Sequence, residues 1–234
     1  MMFKKLSPVF ASAVLLLALA AAPAAASTIT YDLGSPNTAL SSYPGPYASV
    51  SVDLTNSTTA TITFTGLSQT SGGNTYAYKL GGAGAADLNV NSTNFSVSNI
   101  SFTGGCTGAG CPSGGTAFTQ GSGSVSSFGS FNLTLKDADG VGDAVHSVSF
   151  TLTDISGTWA NAAAVLALNA ANYLTAGHIF VFENGVASTA VLTGFAGNSS
   201  VAFTPEAGTE ILFALALIAL CAVFVRRERF AEAA

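Results

Sequence analysis

Charge is nearly missing from the middle of this chain. Asp, Glu, Lys and Arg make up 8% of the residues, and the formal net charge is −5. Of seven basic residues, five lie at the extreme ends: Lys4, Lys5, Arg226, Arg227 and Arg229. Between Ser27 and Phe203 that leaves Lys79 and Lys136 against eight acidic residues. Displacing counterions from a phosphate backbone takes clustered positive charge, so no nucleic-acid partner is expected. A polybasic membrane-binding surface is excluded on the same ground. Histidine is scarce too, with His146 and His178 the whole set. A hydrolytic triad needs base, orienter and nucleophile together, and the G-x-S-x-G elbow is absent. Enzymatic activity is not expected.

Cysteine is limited to three residues. Cys106 and Cys111 lie in GGCTGAGCPSGG and could close a small disulfide loop in an oxidising compartment. Such a closure would contribute roughly 2 kcal/mol, mainly by pinning a loop tip. Two cysteines do not complete a tetrahedral metal set, and no histidine is near in sequence. Cys221 lies in a terminal apolar run.

The N-terminus follows the export pattern. Lys4 and Lys5 precede VFASAVLLLALAA, and APAAAS offers small residues to a signal peptidase. Residues 1–26 are therefore expected to be a signal peptide handed to the general secretion machinery, with cleavage after Ala26. Residues 27–203 are long enough for one domain with a real core.

Within that body, YASVSVDL, TATITFTGL, NFSVSNISF, SFNLTLKD and HSVSFTLTDI alternate apolar with small polar residues. Ile62 and Phe64 share a face opposite Thr61 and Thr63, and Val148, Phe150 and Leu152 oppose Ser147, Ser149, Thr151 and Thr153. Period two with a Ser/Thr outer face predicts antiparallel strands with one solvated side. Turns are expected at PGP 44–46, SGGN 71–74, GGAGAAD 81–87 and DADGVGD 137–143. WANAAAVLALNAANYL breaks the alternation, and the spacing of Trp159, Ala163 and Leu166 predicts a short helical excursion near 160–168. Seven or more strands about ten residues apart predict an antiparallel β-sandwich. The rival is a right-handed β-helix, but no fixed period of side chains builds stacked rungs.

Two local patterns are candidate sites. In KDADGVGD, Asp137, Asp139 and Asp143 could converge carboxylates on a calcium ion, with Gly140 letting the loop curl. The spacing is not that of an EF-hand, since Val141 and the early glycine break it, and a plain hairpin turn has the same composition. No other cofactor is implied. Asn56, Asn91, Asn94, Asn99, Asn132 and Asn198 each begin N-x-S/T, as a chain rich in Asn, Ser and Thr produces by composition. GGAGAADLNV and GGNTYAY lack the charge and context of a phosphate loop.

The tail is more specific. Ile211 to Val225 is a run of 15 apolar residues, about 22 Å as a helix against a hydrocarbon core of about 30 Å. It is apolar on every side, whereas a small sandwich would bury one face of an added helix. Membrane insertion is expected, with Arg226, Arg227 and Arg229 on the cytoplasmic side. Pro205 and Glu206 stand just outside it. This order, Pro-Glu, apolar helix, arginine cluster, resembles the PEP-CTERM sorting signal of Gram-negative bacteria over about 30 residues, 204–234. The family's usual V-P-E-P reads Thr204-Pro205-Glu206-Ala207 here, keeping the central pair and changing both flanks.

The resemblance implies a membrane-embedded exosortase as partner, reading Pro205 and Glu206 while the 211–225 helix presents them and the arginines set orientation. It also implies transit from the inner membrane to the outer membrane, cell surface or matrix, in company with exopolysaccharide. The resulting expectation is a non-enzymatic surface or matrix protein. A carbohydrate- or calcium-binding module is one alternative, and a hydrolase of matrix polymer using His146 or His178 is another.

Overall fold

The structure, a computed structural model, describes residues 27–104, 119–136, 144–184 and 190–198. All belong to the first of two compact units, Met1–Val201; the second, Ala202–Ala234, lies outside the described residues. The described chain is mostly β. Its strands are β1 (Ser27–Leu33), β2 (Ser35–Pro36), β3 (Ala48–Asn56), β4 (Thr59–Gly66), β5 (Ser68–Ser71), β6 (Asn74–Leu80) and β7 (Ala86–Leu88). They continue as β8 (Phe95–Thr103), β9 (Thr119–Val125), β10 (Gly129–Lys136), β11 (Ser147–Asp154), β12 (Thr175–Glu183) and β13 (Leu192–Asn198).

Every pairing is antiparallel, in two sheets. Five strands run β1-β3-β4-β11-β8, and eight run β2-β13-β12-β7-β10-β9 with β6 and β5 branching from β12. The alternation predicted for TATITF and HSVSFTLTD is present residue by residue. Ala60, Ile62, Phe64 and Val148, Phe150, Leu152 are buried, and each intervening Thr or Ser is half-exposed. The buried set meets Leu80, Leu88, Leu133, Leu135, Ile179 and Val181 of the larger sheet in one core, a sandwich-like arrangement. Full burial of each such aliphatic side chain contributes about 1.5–3 kcal/mol.

The two sheets differ in their second faces. The smaller sheet opens its Ser/Thr side to solvent. The larger one buries apolar groups there too: Val125, Phe128, Phe131 and Ala176 form one cluster, and Ala144, Phe180 and Phe182 another. In part this comes from a close approach at Gly197, where a Cβ would lie 2.5 Å from the Phe128 ring. The missing side chain lets Phe128 lie over the strand and meet Tyr173 edge-on at 4.9 Å. Asn169 secures the segment by donating to the carbonyls of Phe128 and Ser130 and accepting from the amides of Ala171 and Tyr173.

The helical excursion expected over 160–168 shrinks to a single 3-10 turn, Ala162–Ala164, whose Ala164 amide donates to the Asn161 side chain. The reason is competition from the neighbouring backbone. The amides of Asn91 and Ala167 donate to Val165 and Asn89, and Leu166 bridges Val90, so these residues are drawn into sheet-like pairing. Trp159 is buried without the helix its spacing suggested, with its indole N–H donating to the Asn91 carbonyl at 3.0 Å.

SGGN forms the β5–β6 turn, with Gly72 and Gly73 at φ +61° and +85°. These angles suit glycine and match a hairpin's twist. Asp154 ends β11 by accepting from the Ser92 hydroxyl and the Ser156 and Gly157 amides. Burial opposes its ionised form, but these hydrogen bonds outweigh burial and hold the carboxyl below its ordinary value.

At Gly66 the backbones of β4 and β6 come so close that a Cβ would run into the Tyr78 carbonyl. Overpacking of this kind costs about 1–3 kcal/mol. Gly66→Ala is therefore expected to lose that much in denaturant unfolding followed by Trp159, the sole tryptophan. Gly121→Ala, with open space around its Cβ, is expected to stay within about 0.5 kcal/mol of the parent.

Candidate functional site

Most of the residues singled out in the sequence lie outside the described residues: Asp137, Asp139 and Asp143, Cys106 and Cys111, and Pro205, Glu206, Arg226, Arg227 and Arg229. The two histidines are described, and they are not brought together on one element. His146 is exposed just before β11, beside Gly104. His178 is half-buried in β12, stacked on Phe195 at 4.5 Å and tilted against Phe180 at 4.8 Å.

A polar group that sequence reasoning passed over sits in the larger sheet. Asp87 on β7 lies directly opposite Thr134 on β10 and Ala176 on β12. Residues in such register share a face, which places the Asp87 side chain on the second face of the sheet, the face of Ala176 and its apolar cluster. Leu88, opposite Leu133, points into the main core instead. Asp87 is fully buried. Among the described residues, neither of its carboxylate oxygens nor the Thr134 hydroxyl has a hydrogen-bond partner.

Burial pushes the Asp87 carboxyl up from its ordinary value to about 7. The Thr134 hydroxyl and the Lys136 ammonium pull partly back. The hydroxyl is thus near enough to favour the ionised form without being aligned for a well-formed bond. Gly84 makes the fit possible, because a Cβ there would lie 2.7 Å from Asp87 Oδ2 at a φ of +118°. The sequence carried one clue: Asp87 falls between Ala86 and Leu88, and all three are buried. A strand covered on both faces loses the period-two signal, so its aspartate read as part of a turn.

The second chemically distinctive surface is the open face of the smaller sheet. Thr59, Thr61, Thr63 and Thr65 on β4 stand opposite Thr153, Thr151, Ser149 and Ser147 on β11. Ser51 and Ser49 of β3 extend two of these rows, as do Ser101 and Thr103 of β8. Hydroxyls pair across the strands, Thr63 with Ser149 at 2.9 Å and Thr103 with Ser147 at 2.7 Å.

No family model, curated protein or solved structure matches the chain.

The two aspartates give stability opposite dependences on pH. Asp87, raised when folded, binds its proton more tightly in the native state, so its contribution is complete below about pH 4 and is lost as pH rises through about 7. Asp154, lowered when folded, contributes above its ordinary range and loses that as pH falls. Stability is expected to peak near pH 4–5 and to decline by a few kcal/mol towards pH 8. Asp87→Asn should flatten the decline and raise stability at pH 8, checked by denaturant unfolding across pH.

Proposed function

We propose that this chain is an exported, non-enzymatic surface or matrix protein, made with the signal peptide 1–26 and sorted through residues 204–234. The observation that carries the reading is the open face of the smaller sheet. At the outward positions of β4 and β11 all eight side chains are Ser or Thr. Hydroxyls keep such a surface wet without charge, and they suit an environment where the partner is neutral and abundant. The two lysines of the body fit the same reading, because neither belongs to a basic patch: Lys79 lies 5.0 Å over the Phe182 ring, and Lys136 ends β10.

In this reading the 211–225 helix holds the body at the inner membrane. An exosortase-type enzyme then acts at Pro205 and Glu206, and the sandwich-like body moves to the outer membrane, the cell surface or an exopolysaccharide matrix. The arginines fix which end stays inside.

Intact mass and C-terminal peptide mapping of protein recovered from cell envelope and medium test it. The expected product ends near residue 206, and changing Pro205 and Glu206 together should abolish the trimming. A full-length C-terminus in the inner membrane would identify a plain anchor instead and overturn the sorting reading.

A further inference from the structure

Four of the six tyrosines gather in one cluster. Tyr47 and Tyr78 are buried and meet edge-on at 5.1 Å, and their hydroxyls donate to the carbonyls of Tyr43 and Pro44. This inner pair fixes the backbone that presents an outer pair. Tyr43 and Tyr76 are half-exposed and also meet edge-on, with ring centroids 5.4 Å apart and planes at 80°. Two rings at that angle make a corner with a π face on each side.

The strands add a polar row to that corner. Gln69 on β5, Tyr76 on β6 and Glu183 on β12 stand directly opposite one another, so their side chains share a face. Tyr78 and Val181, the next pair on that face, lie in the main core, which puts the row at its rim. Asn74 Nδ2 donates to Glu183 Oε1 at 2.6 Å and reaches the Tyr76 hydroxyl at 3.5 Å, tying carboxylate to ring. The Gln69 amide is committed to the Pro46 carbonyl. Among the described residues, Glu183 Oε2 has no hydrogen-bond partner and Glu183 no ion pair. The body's two basic residues are placed elsewhere. Lys79 turns to the other face of β6, over the Phe182 ring, and Lys136 ends β10, beyond β12 and β7. We propose that Tyr43, Tyr76 and Glu183 form a binding site for a small organic ammonium ion, its charge in the aromatic corner and an N–H donated to Glu183.

The chemistry of the corner selects that ligand. Tyrosine faces attract a cation within about 6 Å of the ring centroid, and a carboxylate adds a full charge and a strong acceptor. An anionic ligand would meet Glu183 with no counter-charge. A calcium ion takes about six to eight oxygen ligands, and one carboxylate stands here. A purely apolar ligand would strip water from Glu183 and return no hydrogen bond. A neutral sugar would use the rings and leave the charge of Glu183 uncompensated. The inner tyrosines and Asn74 hold rings and carboxylate in place beforehand, which lowers the cost of binding. Ammonium binding here is independent of whether the tail is processed.

The test is NMR titration of the full chain in detergent micelles, at constant ionic strength, with N-acetyl-lysine amide and with glucosamine. Saturable shifts of the Tyr76 and Glu183 amides are expected, and the tighter of the two ligands tells a lysine side chain from an amino sugar as the source. N-acetylglucosamine, the neutral counterpart, should give none. Glu183→Gln, which keeps an oxygen for Asn74, should weaken binding about tenfold or more. Tyr43→Leu, which keeps apolar bulk without the ring, should weaken it severalfold. Asp53→Asn removes the same charge from the smaller sheet and should change nothing. The amide spectrum also reports whether each variant keeps the fold. Absence of shifts with both ammonium ligands would overturn the proposal, as would binding undiminished in Glu183→Gln. Equal binding of N-acetylglucosamine would overturn it as well and reassign the corner to neutral sugars.

Discussion

Everything described depends on one apolar layer held between two sheets. A chain with so few charges cannot use ion pairs to organise its fold, and the described body contains two lysines. What it has instead is strict alternation. Val50, Val52, Leu54, Ile62, Phe64, Val148, Phe150 and Leu152 supply one side of the layer, and strands β6, β7, β10 and β12 the other. Since period two turns every second residue outward, the same alternation that builds the core also composes the Ser/Thr face. Core and surface are therefore one decision in the sequence. A slip of a single residue in β4 would bury threonines and expose Phe64.

That coupling explains what could be read in advance. Where one face is solvated, as in β3, β4 and β11, strand position followed from alternation, and in β4 and β11 facing did too. The antiparallel character and the mostly-β class followed as well. Legibility weakened at the larger sheet, which is covered on both faces, although SFNLTLKD, its strand β10, was still readable by alternation. In β12 burial is nearly continuous, and β7 has three consecutive buried residues, so neither shows a period. The helical excursion expected over 160–168 failed for another reason: helix propensity in an alanine-rich stretch is a weak local preference, and the backbone of residues 89–91 offered stronger partners.

The buried carboxyl of Asp87 was illegible on the same account. An aspartate after GGAGAA has the local signature of a turn, and only the register with Thr134 and Ala176 reveals an interior position. Burying such a group without a hydrogen-bond partner is unfavourable, and in a fold with a large shared core that penalty is tolerable. The Ser/Thr face, by contrast, was written openly in TATITFT and SVSFTLT. What the sequence did not contain was the direct register between those two segments, more than eighty residues apart.

The placement of the two lysines has a consequence for susceptibility to proteolysis. Proteases of trypsin-like specificity need an extended, accessible segment around a basic residue. Lys79 lies within a paired strand with its ammonium over an aromatic ring, and Lys136 is the last residue of another strand. From Ser27 to Phe203 there is no third basic residue to attack. Of the two, Lys79 is held inside a paired strand, while Lys136 is exposed at a strand end and is the position such an enzyme would reach first.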